Sequence, residues 1–115
     1  MINKKKIVTI IGLGLIGSSI LRAFSYYLKK KFYIKVYDNN SEHLKVVKSF
    51  NIADEICNSA EESVKDSDLV ILAIPVGSMA EVGKLISRYL KKGAILTDTG
   101  SVSYTHLRAH ETSQN

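Results

Sequence analysis

Three glycines and an acid are the residues of this 115-residue chain whose types and spacing suit chemistry. Gly12, Gly14 and Gly17 stand in a Gly-x-Gly-x-x-Gly arrangement, Gly12-Leu13-Gly14-Leu15-Ile16-Gly17. Gly12 allows a sharp turn out of a strand. Gly14 leaves the backbone open to a pyrophosphate. Gly17 lets a helix pack closely on a sheet. The helix that follows aims free N–H groups and a positive dipole end at the phosphates. Asp38 lies about 20 residues beyond the last glycine, where a carboxylate accepts hydrogen bonds from ribose hydroxyls. The chemistry indicated is the binding of a dinucleotide. A carboxylate repels an extra ribose phosphate, and no arginine adjoins Asn39 and Asn40 to cradle one. The expected cofactor is therefore NAD rather than NADP.

Alternating strands and helices must position these groups. The first strand, Lys6–Ile11, is nearly all apolar, as a buried parallel strand should be. A helix over 18–28 places Ile16, Ile20, Ala23, Phe24, Tyr27 and Leu28 on one face. Phe32–Tyr37 is the second strand. Asn40 or Ser41 caps a second helix with Leu44, Val47 and Phe50 inward. A short third strand centres on 55–57. Ser59, with Glu62 three residues on, caps a short helix ending at Val64. The fourth strand, 69–73, is ended by Pro75, which cannot donate to a ladder. A helix over 78–90 turns Met79, Val82, Leu85, Ile86 and Tyr89 inward and stops at Gly93. The fifth strand is 94–97. This pattern predicts a single α/β domain, a doubly wound parallel sheet ordered 3-2-1-4-5. Ligands bind such sheets beyond the carboxyl ends of the strands, where the order reverses. The crevice is then lined by the glycine loop, Asp38, Ala73-Ile74-Pro75 and Asp98-Thr99-Gly100-Ser101.

Composition agrees with a soluble globular domain. The chain is 45% hydrophobic and 23% charged, ordinary values for that class. No apolar run approaches the roughly 20 residues of a membrane span, so no membrane partner is expected. A single cysteine, Cys57, excludes an intramolecular disulfide and suits a reducing cytoplasm. The net charge of +5 comes from lysines clustered at element ends, without interleaved aromatics, which argues against nucleic acid as a partner. His43 is read as an exposed residue on the second helix and Cys57 as a small core residue.

Beyond the glycine loop, Tyr37-Asp38, Asp54-Glu55, Ser67-Asp-Leu-Val-Ile-Leu-Ala-Ile-Pro-Val76 and Gly93-Ala-Ile-Leu-Thr-Asp-Thr-Gly-Ser-Val102 follow in order. In these segments the chain resembles the nucleotide-binding domain of the prephenate dehydrogenase family, over residues 6 to 102. The resemblance implies a Rossmann-type domain, with NAD held by Gly12, Gly14, Leu15, Ile16, Gly17, Asp38, Ala73, Ile74, Pro75, Thr99 and Gly100. It implies an oxidative decarboxylation of prephenate to 4-hydroxyphenylpyruvate on the route to tyrosine. There, hydride leaves for the nicotinamide, CO2 departs and a base takes the hydroxyl proton. In that family the base is a histidine of a Gly-His-Pro motif, bonded by the serine of Gly-Ser-Val; by motif this serine is Ser101. A largely helical second domain makes the homodimer and supplies substrate-binding arginines.

This chain departs from the pattern at its end. Position 103 is Ser where the family continues with Lys, and no Gly-His-Pro follows. The expected division is a dinucleotide-binding domain over 1–101 and a foreign tail over 102–115. The tail, lacking lysine, resembles the translation of a transposase adapter used in DNA library preparation. Cofactor binding without turnover is the expectation for the chain as it stands. His106 and His110 share the i, i+4 spacing of a helical metal pair, but no carboxylate or cysteine completes a motif, so no metal is expected. Two other readings stay open. One is an arogenate or β-hydroxyacid dehydrogenase using NAD or NADP. The other is a free-standing NAD-sensing module.

Overall fold

The structure is a computed structural model that describes residues 5–99. The β-branched run KIVTII forms β1 (Lys6–Ile11), whose last four residues are buried. Parallel neighbours β2 (Phe32–Tyr37) and β4 (Leu69–Leu72) flank it. The outer strands are β3 (Glu55–Ile56), beside β2, and β5 (Ile95–Asp98), beside β4. The order is β3-β2-β1-β4-β5, as the alternating pattern predicts. The crossovers are α1 (Leu15–Tyr27), α2 (Ser41–Phe50), α3 (Ala60–Val64) and α4 (Val76–Ile86), the last continued by a 3₁₀ turn over Ser87–Tyr89.

Successive strand residues point to opposite faces, and each face builds its own core. Val8 and Ile10 of β1, Ile34 and Val36 of β2 and Ile71 of β4 pack with Leu13, Leu21 and Val47 under α1 and α2. Ile11, Val70 and Leu72 pack with Ala60, Val64 and Ile86 under α3 and α4. Polar groups on the second face are satisfied. Thr9 Oγ1 donates to the Ser63 carbonyl at 2.6 Å and bonds the Ser67 hydroxyl. Lys35, buried in β2, sends Nζ to the Lys65 carbonyl at 3.1 Å, its stem covering apolar surface.

Helix faces depart from the periodicity reading at specific residues. On α1 the fully buried side chain is Leu21, while Ile16, Ala23 and Tyr27 are exposed. The cause is Gly17. A Cβ there would strike the Gly12 carbonyl in the turn after β1, and with this face of α1 held down, 17, 21 and 24 point inward, as residues three and four apart share a face. Phe50 is exposed as well, and the Arg22 guanidinium sits 5.7 Å from its ring centroid. Leu85 and Tyr89 also face solvent, because α4 packs through Met79, Val82 and Ile86 and gives way to the tighter 3₁₀ turn.

Asp68 ties strand beginnings together. Its Oδ2 accepts the Ile7 N–H at 2.8 Å, and its Oδ1 pairs with Lys91 Nζ at 2.7 Å. The Lys91 ammonium first, and the Ile7 amide second, hold its carboxyl below the usual range. β5 stays exposed along its length. No helix among the described residues is long and apolar enough to cross a membrane.

Candidate functional site

The strand register brings the site together. Ile11 is level with Tyr37 on one side and with Leu72 on the other, and Leu72 is level with Asp98. The loops after β1, β2, β4 and β5 therefore leave the sheet along one rim. The sequence order reverses between β1 and β4, so the helices after them diverge to opposite faces and open a crevice.

The chain leaves β1 through Gly12 at φ +102°, a conformation that excludes side chains of ordinary handedness. A Cβ at Gly12 would also collide with the Ala73 carbonyl. Gly17 is equally constrained, since a Cβ there would strike the Gly12 carbonyl oxygen and approach Ala73 Cβ at 3.2 Å. Gly14 is different. A Cβ there would meet nothing within 4 Å, so the protein's own packing does not require the glycine, and the space above it is open. Gly14 is also the residue preceding α1, and it supplies no side-chain cap. By contrast Asn40 and Ser59 cap α2 and α3, accepting from Glu42 N at 2.8 Å and Glu62 N at 3.1 Å. The first N–H groups of α1 thus have neither an intrahelical acceptor nor a side-chain cap. An anion above Gly14 fits that donor set.

Asp38, at the end of β2, is 8% exposed. Its Oδ2 accepts the Leu13 N–H at 2.6 Å, and its Oδ1 accepts the Asn40 N–H at 2.8 Å. Those bonds anchor the carboxylate beside the glycine turn. A cavity of about 530 Å³ lies there, within the range of small-molecule sites. Gly12, Gly14, Asp38, Ala73, Ile74 and Pro75 line it, with Asn39, Asn40 and His43 beside the acid.

The other candidates fall elsewhere. Leu15 and Ile16 begin α1 with their side chains in solvent, outside the cavity lining. Gly17 serves packing beneath the loop. Thr99 is fastened to the end of β4, its N–H donating to the Leu72 carbonyl at 3.0 Å. Gly100, Ser101, His106, His110 and the tail lie outside the described residues. Cys57 is buried, and burial first, then the Glu55 carboxylate, push its thiol up to about 11. It stays protonated at neutral pH and is a poor nucleophile.

His43 corrects the sequence reading. It is half-buried, not merely an exposed helix residue, and its Nδ1 lies 2.8 Å from Asp38 Oδ2. The available signal was its place in the first turn of a helix capped two residues after the acid. That turn bends α2 back so that its third residue faces Asp38.

The sequence model of the family described as prephenate dehydrogenase, nucleotide-binding domain, matches residues 24–114. Among curated relatives, the cyclohexadienyl dehydrogenase of Zymomonas mobilis is 35% identical over 103 residues, covering 90% of this chain and 35% of the relative. The prephenate dehydrogenase of Lactococcus lactis is 36% identical over 102 residues, covering 84% of this chain and 27% of the relative. The chain thus spans about a third, or less, of the length of the curated relatives it matches. Among solved structures, the prephenate dehydrogenase of A. aeolicus, in complex with hydroxyphenyl propionate and NAD+, superposes with a TM-score of 0.71 at 31% identity. That match covers 86% of this chain and 35% of the other. The Synechocystis arogenate dehydrogenase, at 19% identity and a TM-score of 0.73, shares the fold. A glycine turn with open space over Gly14, an acid anchored beside it and these matches lead to one assignment: the chain belongs to the prephenate dehydrogenase family, as its nucleotide-binding domain.

Proposed function

We propose that this domain binds NAD, in preference to NADP, for an enzyme that oxidatively decarboxylates prephenate. The observation that carries the cofactor reading is Asp38, held by the Leu13 amide at the edge of a cavity whose floor is the open Gly14. In this reading the backbone at Gly14 and the first turn of α1 hold the pyrophosphate, with Leu15 and Ile16 contributing N–H groups rather than side chains. Oδ1 of Asp38 has spare acceptor capacity after the Asn40 N–H, and it takes a ribose hydroxyl. Ala73, Ile74 and Pro75 form the apolar wall opposite. Gly17 acts beneath the loop and Thr99 continues the rim after β5; by the family motif Gly100 contacts the cofactor and Ser101 holds the catalytic base and the substrate hydroxyl. Bound NAD would supply the hydride acceptor. The A. aeolicus relative, solved with NAD+, supports the cofactor, and the Lactococcus relative supports the substrate. The parent enzyme is a homodimer through a further domain, with prephenate as its small-molecule partner. Arogenate is the second reading, favoured by the cyclohexadienyl dehydrogenase relative, whose name covers the ring system both substrates share.

Titration of the chain with NAD and NADP tests the cofactor. NAD should bind at least about tenfold more tightly, the scale of one repelled charge at a site of reduced dielectric. Asp38→Asn, which keeps the shape and removes the charge, should weaken NAD and narrow the gap. Equal affinities in the unaltered chain would remove Asp38 from this role.

A further inference from the structure

Asp38 and His43 form a pair at the acid's end of the cavity. Both line it, and Nδ1 of His43 is 2.8 Å from Asp38 Oδ2. A carboxylate has no proton to give, so Nδ1 carries the hydrogen of that bond. Among the described residues Nε2 then has no protein partner, and the side chain keeps 41% of its surface exposed. We propose that His43 is a specificity residue that reads the 2′ position of the adenosine ribose. Neutral, it presents Nε2 as an acceptor to a 2′-hydroxyl. Protonated, it presents Nε2–H to a 2′-phosphate and cancels the charge of Asp38. The proposal rests on the NAD reading above.

The electrostatics around the ring favour this division. Asp38 faces it from β2 and Glu81 from α4 across the cavity. Arg22 faces it from α1 across a smaller cavity that His43 also lines. On its own helix Glu42 adjoins it, with Lys45 paired to Glu42 at 3.8 Å. With His43 neutral, the two acids that share its cavity repel a phosphate dianion. One added positive charge, bonded to the nearer acid, offsets that repulsion. Discrimination against the phosphorylated cofactor is therefore strongest with the imidazole neutral and relaxes when it takes up a proton on acidification.

The test is calorimetric titration of the full chain with NAD and with NADP between about pH 5.5 and 8, beside His43→Asn and His43→Gln. The ribose phosphate of NADP titrates in the same range. The two amides, which keep a donor for Asp38 and cannot charge, report that contribution alone. In the unaltered chain the affinity for NADP relative to NAD should rise about fivefold to tenfold more on acidification than in either variant. Identical pH profiles in all three proteins overturn the role of His43 and leave the NAD reading standing. Absence of NAD binding at every pH overturns both. Circular dichroism confirms the folding of each variant, and either one suffices for the comparison.

Discussion

Three protein donors converge on Asp38: the amides of Leu13 and Asn40 and the ring of His43. A carboxylate offers about four acceptor positions, so this acid is oriented by the protein and still has room for a ligand. The glycine loop divides labour in a similar way. Gly12 and Gly17 are required by the fold, whereas Gly14 is free of steric demand from the protein. Gly14→Val should therefore leave the thermal unfolding midpoint nearly unchanged while lowering NAD affinity about a hundredfold or more, since the side chain would stand where a phosphate approaches. Differential scanning fluorimetry alongside a binding titration separates the two effects. Normal NAD binding by that variant would place the pyrophosphate elsewhere. The glycines and Asp38 were legible in sequence because their spacing alone carries the motif. His43 was not, since its pairing depends on where the capped turn of α2 swings its side chain.

At the scale of elements, the contact between α1 and the turn after β1 sets the rotation of the helix. Gly17→Ala places a methyl against the Gly12 carbonyl and Ala73. It should destabilise the domain by about 2–3 kcal/mol, the ordinary cost of overpacking a tight contact, measured by urea unfolding. An unchanged midpoint would mean that α1 can shift outward freely. Asp68 governs the other end of the sheet. Its folded carboxyl lies below its ordinary value because of Lys91 and the Ile7 amide. Its contribution is thus present above about pH 4, the usual carboxylate range, and is lost as pH falls through the lower folded value. Asp68→Asn should cost within about 1 kcal/mol at neutral pH, since the pair is partly exposed. It should also flatten the stability curve on the acid side. A variant that keeps the original acid sensitivity would assign that sensitivity to another carboxylate. The strands were legible nearly residue by residue, because runs such as Val8–Ile11 and Val70–Leu72 are buried on both faces. Helix faces were less so. Alternative stripes on α1 were equally apolar, and the contact at Gly17 chose between them.

For the molecule as a whole, the sheet carries its ligand rim at one end, while β5 lies at its edge with Ile95 and Leu96 in solvent. The chain covers 35% of the length of each of two relatives it matches, which extend well beyond it. We propose that residues 102–115 are foreign to the gene, on their adapter-like sequence and against the family match, which runs to residue 114. Resequencing unfragmented source DNA across codon 100 should read Gly-Ser-Val-Lys and then reach a Gly-His-Pro. Recovery of the codons for Tyr104 to Asn115 from genomic DNA would make the tail native and remove the adapter explanation.

By itself the sequence determined the fold class, the order of the strands, the glycine turn and its acid. Each follows from patterns in the chain: continuous apolar runs, glycine where no Cβ fits, and right-handed crossovers combined with the glycine fingerprint after the first strand, which point to the 3-2-1-4-5 order. Tertiary structure alone decided which stripe of each helix is buried, how the acid is held, and that His43 joins it at the cavity. Those outcomes depend on rotations and distances between elements far apart in the chain, where a contact of one atom at Gly17 or a single capped turn at Asn40 selects among arrangements that local propensity leaves equal.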